Sequence, residues 1–167
     1  MRHDRLGLNN ISLQDAAAFW EMKLLPNDCL PAIATHALVE GYDSPSLRRL
    51  AGETEMLAST LGPLFTKALA ELGTATPDTP SAQMAVAKHY ARRILDDSIP
   101  PYEGARLIWW NAANHACLDK AETEVWDRLS IFVGLASEYE DYPPARKQHE
   151  DEIIKAARDL LADCQAA

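Results

Sequence analysis

Residues 120–142 read KAETEVWDRLSIFVGLASEYEDY, which is the longest helical pattern in the chain. At 100° per residue its large apolar side chains fall on one broad face, as expected of an amphipathic helix that packs on a core. Pro143 and Pro144 follow at once and predict the end of the helix, because proline lacks a backbone N–H and clashes with the preceding turn. The predicted buried face consists of Val125, Trp126, Leu129, Phe132, Val133, Ala136 and Tyr139.

The opposite face of this predicted helix mixes carboxylates with small and apolar residues. Four acids fall within an arc of about 100°, and Ile131, Gly134 and Leu135 lie between them. We interpret this arc as a partner-binding face, where acids steer a basic partner and the apolar centre supplies affinity. The alternative is a helix that is buried all round in its middle and solvated only at its ends. The expected contact residues are Glu124, Asp127, Ile131, Leu135, Glu138 and Asp141.

Helical signals also dominate the rest of the chain, and no segment alternates apolar and polar residues as a strand would. Ser12 and Ser44-Pro45 mark helix starts, while Gly41 is placed as a helix-ending glycine. We therefore predict an all-α bundle of seven or eight helices in one domain, 1–167, with the loop 73–80 as the place where two lobes would divide. Further helices are expected over about 13–24, 28–40, 45–51, 53–72 with a kink at Gly62-Pro63, 81–96, 102–116 and 145–163.

Charge and composition limit the classes of function. The 167 residues carry a formal charge of -9, and residues 119–167 contribute -6 of it. Phosphate backbones would repel such a chain, so nucleic-acid binding is disfavoured. Three widely spaced cysteines predict reduced thiols, and no apolar stretch is long enough for a membrane span or a signal peptide. We expect a cytoplasmic protein that binds neither nucleic acid nor membrane.

Local motifs for chemistry are absent from the sequence. No His lies three residues after an acid, no His-x-x-x-His occurs, and no nucleophile elbow or phosphate loop is present. We therefore expect no metal site and no cofactor, although sites assembled from distant residues leave no local motif. An alternative ligand site between helices 81–96 and 102–116 would use Arg106, Trp110, His89 and His115.

The segment 101–110, PYEGARLIWW, is the start of one of these two helices. Gly104 in its first turns is costly in a helix, so it predicts close packing against a neighbour. Arg106 is expected to pair with Glu103 or to stack on Trp110. Trp109 and Trp110 should point about 100° apart, with one of them entering the core.

Three segments resemble small uncharacterised helical bacterial proteins that are discussed as immunity or toxin-neighbourhood partners. They are residues 43–52 (DSPSLRRLAG), 101–109 (PYEGARLIW) and 132–138 (FVGLASE), about a sixth of the chain. The resemblance implies a helical fold and a class of function, and it carries no catalytic residue.

These observations lead to three hypotheses. The first is a non-enzymatic acidic domain that binds a basic protein, in its most concrete form an immunity protein that neutralises a cationic toxin. The second is an enzyme or small-ligand protein that uses the alternative site. The third is a structural protein that homodimerises through the patch around Ile131 and Leu135.

Overall fold

The computed structural model describes residues 8, 11–55, 57–115 and 120–162, with only the backbone at 115 and 120–122. All regular structure in these ranges is helical, so the predicted all-α fold is confirmed. Short 3-10 segments lie at Asn27–Cys29, Ala113–His115 and Pro143–Ala145. The described α-helices are α1 (Leu13–Glu21), α2 (Leu30–Val39), α3 (Pro45–Ala51), α4 (Ala58–Glu71), α5 (Thr79–Leu95), α6 (Pro101–Asn111), α7 (Lys120–Asp141) and α8 (Arg146–Ala162).

Two helices begin with the capping chemistry that the sequence predicts. The Ser12 hydroxyl accepts a hydrogen bond of 3.1 Å from the Asp15 N–H at the start of α1. The Ser44 hydroxyl accepts one of 3.1 Å from the Leu47 N–H at the start of α3. Pro45 occupies the first position of α3, where its missing N–H costs no helical bond.

Several helix boundaries differ from the prediction, and α1 ends at Glu21 rather than near residue 24. Helix α4 begins at Ala58 rather than near residue 53, and α6 ends at Asn111 rather than near residue 116. Helix α5 begins at Thr79 rather than at residue 81, because an Asp78 carboxylate oxygen accepts a 2.9 Å bond from the Ser81 N–H and caps the first turn. Hydrogen bonding to the Ser81 side chain, and then to its backbone N–H, lowers the pKa of Asp78.

The chain divides into two compact units, Met1–Ala82 and Gln83–Ala167. The boundary falls in the first turn of α5, just after the loop predicted at 73–80. The hypothesis that residues 1–167 form one domain stays a prediction.

The first unit buries apolar side chains from α1 to α4. The Trp20 ring meets the Phe65 ring edge-on, with 5.6 Å between their centroids. Gly62 lies against the same indole, since a Cβ built there would be 3.1 Å from Trp20 Cη2. The buried set of this unit includes Phe19, Leu30, Ile33, Leu47, Leu50, Leu61 and Phe65.

A carboxylate joins α3 to the end of α4 within the first unit. Glu71 accepts hydrogen bonds from the Ser46 N–H (2.9 Å) and from the Ser46 hydroxyl (2.8 Å). These two bonds hold the pKa of Glu71 below its usual range. The negative charge thus lies at the positive end of α3, where the free N–H groups favour it.

The second unit is built around α7, which packs against α6 and α8. Leu129, Phe132 and Ala136 of α7 are fully buried, as the sequence predicts. Gly104 of α6 is also tightly packed, because a Cβ built there would overlap the Ile94 side chain. The prediction that close packing requires a glycine at 104 is therefore confirmed.

Candidate partner-binding face

Contacts on two flanks hold α7 between α6 and α8. On the α6 flank, the Tyr102 hydroxyl donates to the Glu140 carboxylate, and Arg106 Nε lies 3.9 Å from the same carboxylate. On the α8 flank, His149 Nδ1 lies 3.6 Å from Glu138 Oε2. The arc of α7 between these flanks faces solvent, and we call it the outer face. It comprises Glu124, Asp127, Ile131, Gly134, Glu138 and Asp141.

The outer face combines one sign of charge with an exposed apolar side chain. Its four carboxylates are all exposed, and Ile131 between them is 49% exposed. Like charges that share one side of a helix produce a field that attracts cations and cationic proteins. An isoleucine at the centre adds apolar area that a partner would remove from water.

Leu135 is the exception among the six predicted contact residues. It is only 7% exposed, so the prediction that it lies on the outer face is wrong. On the helical wheel it falls toward the flank of α7 where Glu138 and Tyr139 meet α8. A single-helix wheel cannot show this, because the position of α8 decides which border residues are covered.

Gly134 is exposed, and among the described residues no atom beyond its chain neighbours and the local helix backbone lies within 4 Å of a Cβ built at this position. A glycine in mid-helix often indicates a close neighbour, but the described residues place none at Gly134. A glycine inside a helix costs about 1 kcal/mol relative to alanine. Within the described residues, this cost is not offset by any close packing at the missing side chain.

Large aromatic side chains are also exposed on α6 and α7. Trp126 is 39% exposed, although the sequence placed it on the buried face of α7. Trp110 is 55% exposed, and its ring stacks on that of Trp109 with 5.4 Å between centroids and 17° between planes. The two indoles therefore do not diverge as expected, and Trp109 is only partly buried.

A shallow cleft of about 180 Å³ lies between α7 and α8. Its lining is apolar at Ile131, Ala156 and Leu160 and charged at Arg128 and Asp159. Because Ile131 belongs to both surfaces, the cleft is continuous with the outer face of α7. Sequence reasoning missed this cleft, since it depends on how α8 packs along α7.

Aromatic and cationic side chains stack where α6 and α8 begin and α7 ends. The rings of Tyr102 and Tyr139 are nearly parallel, with 4.2 Å between centroids. The Arg106 guanidinium lies 5.7 Å from the Tyr102 ring, and that of Arg146 lies 5.1 Å from the Tyr139 ring. Burial and the hydrogen bond to Glu140 raise the pKa of Tyr102 above its usual value. The stack fixes the end of α7 beside its neighbours.

The expected partners of Arg106 were wrong. Arg106 contacts Glu140 and Tyr102, and within the described residues no contact joins it to Glu103 or Trp110. The reason is tertiary, because the end of α7 brings a carboxylate to Arg106 that no spacing within α6 could supply.

The other residues of the alternative ligand site have different surroundings. His89 is buried, and its ring meets that of Tyr90 edge-on at 5.4 Å. Trp110 is largely exposed, and the side chain of His115 lies outside the described residues. With Arg106 directed at α7, the described contacts do not gather the set around one point, and the alternative site stays a prediction.

His149 is the most unusual polar residue of the second unit. It is 7% exposed, and its Nδ1 lies 3.6 Å from Glu138 and 3.6 Å from Glu152. Neither ring nitrogen makes a hydrogen bond to a described residue. Residues 146–152 are all polar, a pattern that predicts a solvated segment, and this prediction is wrong at His149. The missed signal is the buried stripe of His149, Ile153, Ala157 and Leu160.

No protein-family model, curated protein or solved structure matches the chain. Among the described residues, no three His, Cys, Asp or Glu side chains are grouped so that they could hold a metal ion. In the same part of the chain, every helix is too short or too polar to cross a bilayer. The outer face of α7 is therefore the feature of the described residues that bears on function.

Proposed function

We propose that the chain is a non-enzymatic protein-binding module that docks on a basic protein through the outer face of α7. The observation that carries the proposal is a half-exposed isoleucine inside a frame of exposed carboxylates. Acidic side chains accelerate encounter with a cationic surface and disfavour other partners. The apolar centre supplies contact area that water leaves on binding.

In its most specific form, the proposal describes a bacterial immunity protein that neutralises a cationic toxin in the cytoplasm. Two features support this form. The last third of the chain carries -6 of the formal charge of -9, so the attraction is local to the second unit. Three segments resemble helical proteins of that class, among them residues 132–138 of α7.

A second copy of the chain is a poorer occupant of this face. A twofold dimer buries the same patch of each copy against itself. The four carboxylates of one outer face would then meet the same four on the other copy. Like charges brought together in this way cost free energy, whereas a basic partner gains from the same charges.

The test first captures partners of the chain and then measures the affinity of a purified candidate. Proteins retained by the immobilised chain are identified, and the candidate is purified and titrated by calorimetry at low and at high salt. The test variant is Asp127→Lys plus Asp141→Lys, which leaves the Glu138 contact with His149 intact. The matched control is Glu53→Lys plus Glu55→Lys in the first unit, with the same change of net charge.

We expect a basic partner, affinity that falls steeply with added salt, and at least tenfold weaker binding of the test variant. The control should bind within about twofold of the unmodified chain. Salt-insensitive binding, an acidic partner, or an equal loss in the control would contradict the proposal.

A further inference from the structure

The position of Gly134 on the outer face indicates how a partner can approach α7. On the helical wheel Gly134 falls between Asp127 and Asp141, with Ile131 one turn earlier. Its backbone is exposed, and the space where a side chain would stand is open. The centre of the acidic frame is thus a gap in the row of side chains.

Such a gap has one general use in helix packing. Side chains on a helix form ridges, and a neighbouring helix packs its own ridges into the grooves between them. Where a glycine interrupts a ridge, the neighbour's backbone can come closer than any other residue allows. The described part of the chain places no side chain or other helix within 4 Å of a Cβ built at Gly134.

We infer that the basic partner presents an amphipathic helix that crosses α7 at Gly134. This inference rests on the proposed function, since it specifies the occupant of the same face. A strand or an extended segment would gain little, because the backbone groups in the middle of α7 are already bonded within the helix. A helix needs only a groove and apolar contacts, and the outer face offers both.

The crossing helix is expected to carry apolar residues on one side and Lys or Arg along the flanks. Its apolar side would cover Ile131 and place a side chain in the cleft of about 180 Å³ beside Ala156 and Leu160. Its cations would lie against Asp127 and Asp141, which are exposed on both sides of the gap. The charge and the shape of the outer face thus select the same kind of partner.

The test uses two synthetic peptides of about 20 residues, a length at which helices form in water or on contact. The first places Leu and Lys at helical spacing, and the second has the same composition in scrambled order. Both are titrated by fluorescence anisotropy against the full chain and three variants. These are Gly134→Ala, Asp127→Lys plus Asp141→Lys, and Thr66→Ala, an exposed change in α4 that serves as the control.

We expect the amphipathic peptide to bind more tightly than the scrambled one, and Gly134→Ala to weaken it about tenfold while raising the Tm of the chain. Thr66→Ala should leave the affinity unchanged. If only the lysine substitutions weaken binding, the crossing at Gly134 is wrong and the acidic face stands. If binding of neither peptide responds to the lysine substitutions, the proposed function itself fails.

Discussion

Gly104 and Gly134 lie inside two packed helices of the second unit, but their surroundings differ. At Gly104 of α6, a Cβ would overlap Cγ1 of Ile94 and lie 2.6 Å from its Cδ1. At Gly134 of α7, a Cβ would meet no side chain or neighbouring helix of the described residues within 4 Å. Both positions carry the same intrinsic penalty of about 1 kcal/mol relative to alanine. Only the first penalty is offset by packing inside the molecule.

The difference teaches how to interpret an internal helical glycine. A glycine whose space is filled by a buried side chain is explained by the fold. A glycine whose space is empty and exposed has no such explanation, and an external contact is the next place to look for one. Substitution by alanine separates the two cases, because its effect on stability should have opposite signs at the two positions.

Among the glycine substitutions, Gly104→Ala should have the largest effect on stability. The added methyl overlaps the side chain of Ile94, which is fully buried and cannot move without disturbing its neighbours. We expect the free energy of unfolding to fall by about 2–3 kcal/mol, after the gain in helix propensity is included. Urea denaturation measures the change, and a neutral result would show that this glycine is not required by packing.

A double-mutant cycle tests whether Ile94 is the cause. Ile94→Ala alone should cost about 2–4 kcal/mol, since it removes a buried side chain and leaves a cavity. In that background Gly104→Ala should cost about 1–2 kcal/mol less than in the unmodified chain, because the overlapping atoms are gone. Strictly additive effects would point to another neighbour as the source of the strain.

Gly134→Ala should change the free energy of unfolding in the opposite direction to Gly104→Ala. The new methyl enters open space on an exposed helical surface, so only the helix propensity changes. We expect stabilisation by about 1 kcal/mol, measured by urea denaturation beside Gly104→Ala. Destabilisation would mean that Gly134 serves the fold after all, and the argument for an external contact would lose its basis.

Local signals were sufficient for the class of fold. Ser44 and Pro45 start α3 as predicted, and α7 ends at Asp141, two residues before Pro143, because capping and proline chemistry act over a few residues. The start of α5 was predicted two residues late, because Asp78, inside the predicted loop 73–80, is the N-cap of this helix. This difference also comes from capping chemistry within a few residues. Positions of one helix against another were not predicted, as they depend on contacts distant in sequence.

The candidate site shows the same limit. The wheel placed Ile131 and four acids on an exposed arc, which depends on α7 alone. Leu135 and His149 were misplaced because their burial depends on the seam between α7 and α8. The partners of Arg106 were misjudged for the same reason, since Glu140 reaches it from another helix.

Gly62 of α4 is intermediate between Gly104 and Gly134 in the space around its missing Cβ. Its substitution should have the smallest effect on stability of the three. A Cβ there would lie 3.1 Å from Trp20 Cη2, so the partly exposed indole must shift by a few tenths of an ångström. Pro63 follows and crowds any Cβ before it in a helix. These two costs should slightly exceed the gain in helix propensity, so we expect Gly62→Ala to lower the free energy of unfolding by about 0.5 kcal/mol.

In a Trp20→Phe background the loss of stability caused by Gly62→Ala should shrink, because the crowding atoms of the indole are absent. If Gly62→Ala costs as much as Gly104→Ala, or stabilises as much as Gly134→Ala, the spacing around the missing Cβ does not set the sign, and the contrast between the two glycines of the second unit needs another cause.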